Sequence, residues 1–521
     1  MTHLARMRLD WKGIPPSMAT SEPQHPFASD LNLVDTYSLH RLLDTSVSNG
    51  GSERLRDWLL TPSPDVAVIE KRQALLQELI PSAMFRDRLI LNAAKTTQAG
   101  TQNVHKKWAG EYLLSWSEVG SETTRIPAQL VSVLAGLSLV TMVLFALFQL
   151  AMIPPLWLGT FVVFVALSGW QLRKLGDIFT ESLALQAEIR RLRAIFQHLE
   201  TASYAGHPHL KHLCSPFQDG KHCPSAQLRR VAWITSAASI QRNPVFWIVL
   251  NLLIPWDIFF AFQLERSRGD LARTLPIWLG IWYELEALNS LANFADLNPT
   301  YTFPVITPGA VLDGTELGHP LIPTAEKVCN DFTLDALGQI VIVTGSNMSG
   351  KSSFLRTIGV NLVLAYCGSV VNAEHLQVGL FRVFTCIQVA DSVVDGISYF
   401  YAEVKRLKAL LGALQTAEDM PLLFIIDEIF RGTNNRERLI GSRAYIRALA
   451  SGNGVGLIAT HDLELAQFAD STPRTNNFHF REDVKDGRMM FDYTLRPGPS
   501  PTTNALKIMA IEGLPVDDDM E

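Results

Sequence analysis

The residues with the clearest chemistry in this chain of 521 form one short run, Thr344-Gly-Ser-Asn-Met-Ser-Gly-Lys-Ser-Ser353. It fits G-x-x-x-x-G-K-[ST], in which glycines let the backbone turn tightly and present successive N–H groups to a phosphate chain. Gly345 and Gly350 supply the turns, and Ser346, Asn347, Met348, Ser349 and Ser353 complete the cradle. Lys351 is expected to reach the β- and γ-phosphates of ATP, and the Ser352 hydroxyl to ligate Mg²⁺. A second run, Pro421-Leu-Leu-Phe-Ile-Ile-Asp-Glu428, ends in adjacent carboxylates. There Asp427 is placed to hold Mg²⁺ through its water shell and Glu428 to polarise an attacking water. A third, Val455-Gly-Leu-Ile-Ala-Thr-His461, ends in an imidazole suited to sensing or stabilising the γ-phosphate.

These groups need elements that deliver them to one place. The apolar run Ile340-Val-Ile-Val343 before the glycine loop reads as a buried strand. Phe354, Ile358, Leu362 and Ala365 behind it recur at helical spacing. The run into Asp427 has the continuous apolar form of a buried parallel strand that brings acids to the C-terminal edge of a sheet. The expectation is an α/β P-loop domain at the C-terminus, over residues 301–521.

The motifs together resemble the ATPase domain of the MutS family, within the ABC-type P-loop ATPases. The resemblance rests on Thr344 to Ser352, on Asp427-Glu-Ile-Phe-Arg-Gly-Thr433 and on Ala459-Thr-His461. Asp391 to Val404 resembles that family's signature segment, with Gly396, Ser398, Phe400 and Glu403 in register. The resemblance implies that Ser398 of one subunit contacts the γ-phosphate held by another, so that the catalytic site is composite and the protein a homodimer. Departures are also plain. Ser346 stands for the usual proline, Phe430 for a glycine, and Asn434-Asn-Arg-Glu-Arg438 for Ser-Thr-Phe-Asp-Gly.

Hydrophobic content is 47%, charged content 18% and mean hydropathy +0.13, more apolar material than a soluble chain of this length needs. The excess is local. Leu130 to Met152 is uncharged throughout, and Leu156 to Leu172 forms a second stretch after Pro154-Pro155. About 20 apolar residues span a bilayer core. The first stretch therefore qualifies, and the second is short but adequate with its flanks. Arg125 precedes the pair and Arg173-Lys174 follows it, which by the positive-inside tendency predicts a transmembrane hairpin over 126–172 with both flanking parts in the cytoplasm. A third run, Val245 to Phe262, carries Asn251, Pro255 and Asp257; it fits a buried helix or a re-entrant one equally.

Met1 to Pro26 is polar and lacks the apolar region of a secretory signal. Five scattered cysteines suit a reducing compartment. His207, His209, His212, Cys214, His222 and Cys223 cluster without a zinc spacing, and a solvated loop is expected there. A net charge of −6 argues against a broadly basic nucleic-acid surface. Arg190-Arg-Leu-Arg193 and Arg229-Arg230 read as solvated helix faces or juxtamembrane anchors.

More weakly, Asp30 to Leu79 resembles the start of the helical core domain of MutS proteins, Glu284 to Ala295 its last helix, and Gly318-His-Pro320 the approach to the ATPase. The expected organisation is a helical core-like region over 1–125, the hairpin, a helical lever region over 173–300 and the ATPase. By the same resemblance, no domain carrying a Phe-x-Glu mismatch wedge is expected ahead of these regions. The resemblance thus implies a membrane-associated MutS-like ATPase whose dimer closes on ATP, with mismatched or structured DNA as its partner. The alternative is the ATPase subunit of a membrane transport or remodelling assembly that binds no DNA.

Overall fold

A computed structural model describes residues 2–17, 25–98, 107–108, 110–118, 126–172, 182–218, 223–238, 243–346, 348–388, 399–416, 419–430, 433–470, 472–485 and 488–500. The chain divides into two compact units. The first takes in chain up to Thr45, Glu53–Ile80 and the chain from Ala287 onward; the second takes in Ser46–Ser52 and Pro81–Glu286.

The strands all belong to the first unit. They are β1 (Val305–Ile306), β2 (Leu312–Leu317), β3 (Asn330–Leu334), β4 (Ile340–Thr344), β5 (His375–Val378), β6 (Arg382–Cys386), β7 (Leu422–Asp427), β8 (Gly454–Thr460), β9 (Thr475–Lys485) and β10 (Arg488–Pro497). A small sheet has the order β1-β5-β2-β3 and a larger one β10-β9-β4-β8-β7-β6. In the larger sheet β4 runs parallel to both β8 and β9, and β7 runs parallel to β8 and β6. Every residue of β4, β7 and β8 is buried, as expected where helices cover a parallel sheet. Helices Tyr399–Gln415 and Asn435–Ala450 place Leu407, Leu410, Tyr445 and Leu449 in one cluster with Ile342, Phe424 and Ile458. Helix Lys351–Tyr366 packs on β7 and β8.

The N-terminal segment is fastened to this sheet, which the sequence reading assigned to a separate region. Edge strand β6 would otherwise present unpaired backbone groups. The Pro26 carbonyl accepts from Thr385 N–H at 2.9 Å. The buried Asp30 carboxylate accepts from the Thr385 hydroxyl at 2.7 Å and from the N–H groups of Ile387 and Gln388 at 2.9 and 3.1 Å. Arg406 donates to the carbonyls of His25 and Pro26.

The second unit is helical. Helices Ala83–Gln98 and Pro224–Ala238 both pack on Ser182–Thr201. The buried Glu286 carboxylate accepts from Val47 N–H at 2.9 Å, from Ser48 N–H and from the Ser48 hydroxyl. Burial pushes its carboxyl up to about 7 against the opposing pull of those hydrogen bonds.

Of the expected hairpin, two helices are present, Ala128–Gln149 and Trp157–Leu172. They pack together through a Thr141–Thr160 hydroxyl hydrogen bond of 3.0 Å and an edge-to-face pair of Phe145 and Trp157. At about 1.5 Å per residue the first is about 33 Å long and the second about 24 Å. Among the described residues Ala128–Gln149 is the one single helix long and apolar enough to cross a bilayer. The third apolar run is two helices, Pro244–Leu253 and the start of Trp256–Leu297, bent by 84°. Proline at 255 removes a backbone donor and bars the preceding residue from helical geometry.

In the His/Cys cluster His209 and His212 are exposed as expected, but on a helix and not a loop, and His222 lies outside the described residues. Pro208–Leu213 is a short helix, and Leu210, Leu213 and Cys214 are buried. Apolar spacing set the structure there, and among the described residues no three potential ligands converge on a metal position.

Replacing Asp30 by Ala strands the buried Ile387 N–H and takes one acceptor from the Thr385 hydroxyl, which keeps the Pro26 carbonyl, and from the part-buried Gln388 N–H; a buried donor left unpaired costs about 1–3 kcal/mol. The melting temperature of the first unit is expected to fall by several degrees in differential scanning fluorimetry, with Asp30→Asn less affected. An unchanged melting temperature for Asp30→Ala would refute this role.

Candidate functional site

The site lies at the C-terminal ends of β4, β7 and β8. In register, Thr344 stands opposite Thr460, and Asp427 opposite Ala459. The residues that follow each strand, Gly345, Glu428 and His461, therefore emerge at one edge.

The loop after β4 turns through backbone conformations that ordinary side chains resist. Gly345 has φ 147° and Gly350 φ 106°. A Cβ on Gly345 would come within 2.7 Å of the Ser349 hydroxyl, and one on Gly350 within 3.0 Å of the Tyr493 ring. Met348, with φ 72°, shares the left-handed region and is 82% exposed. Gly350 caps the helix that begins at Lys351, so the positive end of that helix and its free N–H groups open onto the loop. The buried Lys351 ammonium donates to the carbonyls of Gly345 and Ser346, each at 2.7 Å. These bonds hold the cation inside the turn.

Behind the loop, the Ser352 hydroxyl donates to Asp427 Oδ2 at 2.5 Å. Two adjacent hard oxygen donors suit a small divalent cation such as Mg²⁺. Glu428 sits at φ 65° and donates its N–H to the Ala459 carbonyl at 2.9 Å. Its Oε1 lies 2.8 Å from His461 Nδ1. A non-glycine residue held there costs about 1–3 kcal/mol, a cost found where a side chain must be aimed. Arg438 pairs with Asp462 at 3.5 Å beside this histidine.

Two of the three departures from the resembled motif, Phe430 and Ser346, are each accommodated by a second residue. Phe430 has φ 58°, the region its glycine counterpart would favour. Its ring lies against Gly441, where a Cβ would come within 3.0 Å of it, and beside Tyr445. Ser346 donates its hydroxyl to the buried carboxylate of Glu482 on β9. Asn434 caps helix Asn435–Ala450 by accepting from Glu437 N–H at 3.0 Å.

A cavity of about 900 Å³ opens at this edge, within the range of small-molecule sites. Ser346, Met348, Lys351, Ser352, Asp427 and Glu428 line it together with Leu317, His319, Ile322, Pro323 and Tyr493, and His461 adjoins it through its contact with Glu428. Of the residues expected from sequence, Gly345, Ser346, Met348, Ser349, Gly350, Lys351, Ser352, Ser353, Asp427, Glu428 and His461 are gathered here. Asn347 and Ser398 lie outside the described residues. Glu482, Tyr493 and Ile322 were not anticipated, because neither the alternation of β9 and β10 nor the loop after His319 carries a motif.

Comparison with known proteins agrees with the geometry. The family model for MutS domain V matches residues 341–517. The chain is 33% identical over 273 residues to the DNA mismatch repair protein MutS of an Exiguobacterium species, covering 50% of this chain and 31% of that protein. It is 33% identical over 261 residues to that of Chloroflexus aurantiacus, covering 49% and 26%, and 32% over 237 residues to that of Natronomonas pharaonis, covering 44% and 27%. The chain thus spans less than a third of the length of these relatives.

His319 in the cavity wall is buried, and its Nδ1 accepts from Leu321 N–H at 3.1 Å. Burial, aided by Arg356 and Lys327, lowers its pKa to about 4. The folded state therefore binds fewer protons than the unfolded one between about pH 6.5 and 4. The contribution is complete above pH 6.5 and is lost as pH falls toward 4, up to about 3 kcal/mol. Wild type is expected to lose thermal stability across that window faster than His319→Asn; parallel melting curves would contradict this.

Proposed function

We propose, for a chain that belongs to the MutS family through its domain V, that it is an ATP-binding and ATP-hydrolysing dimer switch. The observation that carries this is the meeting of Lys351, Ser352, Asp427 and Glu428 in one cavity at one sheet edge. Bound at Ser352 and Asp427, Mg²⁺ would neutralise phosphate charge and polarise the phosphoryl oxygens. The loop amides from Gly345 to Ser349 and the Lys351 ammonium hold the phosphates. Glu428, oriented by His461, holds a water in line and accepts its proton. The imidazole stabilises the charge that gathers near the γ-phosphate. Ser398 of a second copy completes the site, so closure of the dimer depends on the γ-phosphate and is released when it leaves.

The partner proposed for this switch is DNA, mismatched or structured, because the three relatives described above are each named DNA mismatch repair protein MutS. The anchor proposed is the membrane, through residues 130–172, with the ATPase on the cytoplasmic face. Two observations support the anchor. Helix Ala128–Gln149 is uncharged and mostly turned outward, only 17% of its most apolar window being buried. Its partner helix exposes Leu158, Val162, Val163 and Trp170. The same helices favour the second reading, an ATPase of a membrane transport or remodelling assembly.

Lys351→Ala is expected to abolish ATP binding. Glu428→Gln should retain binding and hold the closed dimer, while turnover falls by about 10²- to 10⁴-fold; turnover equal to wild type rejects Glu428 as the base. Filter binding to homoduplex, mismatched and branched DNA separates the two readings. ATP-dependent retention of any of them supports the switch on DNA, and no retention in either nucleotide state favours the membrane assembly. Recovery of the full chain in the soluble fraction without detergent would remove the anchor.

A further inference from the structure

The bent apolar segment around Ile254-Pro255 belongs to the second unit and plays no part in the nucleotide site. We propose that it is a re-entrant wedge that enters one leaflet of the bilayer, turns at mid-depth against helix Ala128–Gln149 and leaves by the face it entered. The inference rests on the membrane reading above and adds the partner of a further surface, the acyl chains of one leaflet.

Helix Pro244–Leu253 has 10 residues, about 15 Å at about 1.5 Å per residue, half of a hydrocarbon core of about 30 Å. It cannot cross alone, and the 84° bend at its end prevents a straight continuation.

At the bend, the Leu253 carbonyl accepts from the Ser138 hydroxyl at 2.5 Å, and Ser138 is midway along Ala128–Gln149. From there the chain descends. Ile258 and Ala261 share a buried cluster with Leu134 and Val131, closer to the start of that helix. Glu265 then accepts from Ile126 N–H at 3.1 Å, just before its first turn. The contacts thus step from mid-height to the end of Ala128–Gln149 over residues 253 to 265. Where the segment emerges, Arg230 donates to Gln263 at 2.9 Å, a cation at the level expected of headgroups.

Val245, Phe246, Ile248, Val249 and Leu253 are all exposed, whereas the polar groups of the same segment are turned inward and bonded to one another. Trp247 Nε1 donates to Asp257 Oδ2 at 2.7 Å, Asp257 N–H donates to Asn251 Oδ1 at 3.1 Å, and Asn251 Nδ2 donates to the Trp247 carbonyl at 3.1 Å. Asp257 is 1% exposed. In water the reverse arrangement is favoured; in hydrocarbon each polar group must be satisfied internally. The carboxylate that counted against insertion is the group that closes the bend.

The first unit is built from chain both before Ile80 and after Ala287, so the segments between must cross a membrane an even number of times. Thr141 pairs with Thr160 and Phe145 with Trp157, and the sequence numbers of each pair run in opposite senses. The second helix therefore returns the chain along the first, and the crossings are two. The bent segment adds none.

Photocrosslinking of the full chain in its native membranes tests this directly. Residues Val140, Phe246, Leu253 and Tyr37 are replaced one at a time by p-benzoylphenylalanine, and adducts are read by mass spectrometry. Lipid adducts are expected at Val140, Phe246 and Leu253 and none at Tyr37, which is exposed in the first unit. The Leu253 adducts should lie as far along the acyl chain as those of Val140, and the Phe246 adducts closer to glycerol. Lipid adducts at Val140 with none at Phe246 and Leu253 would overturn the wedge and leave the anchor standing. Absence of lipid adducts at all of them would overturn the anchor as well.

Discussion

Everything at the nucleotide site depends on the placement of β4 between two parallel neighbours. Because β8 and β9 both run with it, the loop that leaves β4 and the residues that leave β7 and β8 emerge on the same side of the sheet. A glycine loop elsewhere would have amides but no acids facing them. Lys351 shows how tightly this edge is organised: its ammonium is buried and bonded to two carbonyls of the turn it serves. A buried cation is costly unless its donors are occupied, so the turn and the lysine hold each other in place.

Two of the strained positions fall where that edge must aim side chains. Glu428 and Phe430 both occupy the left-handed region, two residues apart and directly after the buried strand. The strand fixes Asp427, the left-handed turn rotates Glu428 toward His461, and Phe430 is accepted because Gly441 leaves room for its ring. Ser346 and Glu482 form a comparable pair on the other side of the loop. In each case the substitution in the motif is legible in the sequence, and its compensation is not. Gly441 and Glu482 lie 11 and 136 residues away from the positions they accommodate, and no periodicity joins them.

The local grammar of the chain was readable for the same reason that the long-range contacts were not. Glycine spacing, continuous apolar strands and terminal carboxylates follow from covalent geometry and burial over a few residues, and they identified the α/β domain and most of its site. The fastening of Asp30 to β6, the turning of Tyr493 toward Gly350 and the recruitment of residues before Ile80 into the first unit are tertiary facts. The first two apolar segments were legible as helices nearly to their ends, whereas the break in the third was not placed. Proline at 255 and the network around Asp257 set the bend, and only the contact from Ser138 to Leu253 shows the level at which it lies.

The central claim is that this edge binds and cleaves a nucleoside triphosphate, and the release of inorganic phosphate from ATP by the purified, detergent-solubilised chain tests it most directly. The account predicts steady release that requires Mg²⁺ and stops when the metal is chelated. No release, together with no ATP binding at saturating nucleotide and Mg²⁺, would contradict it.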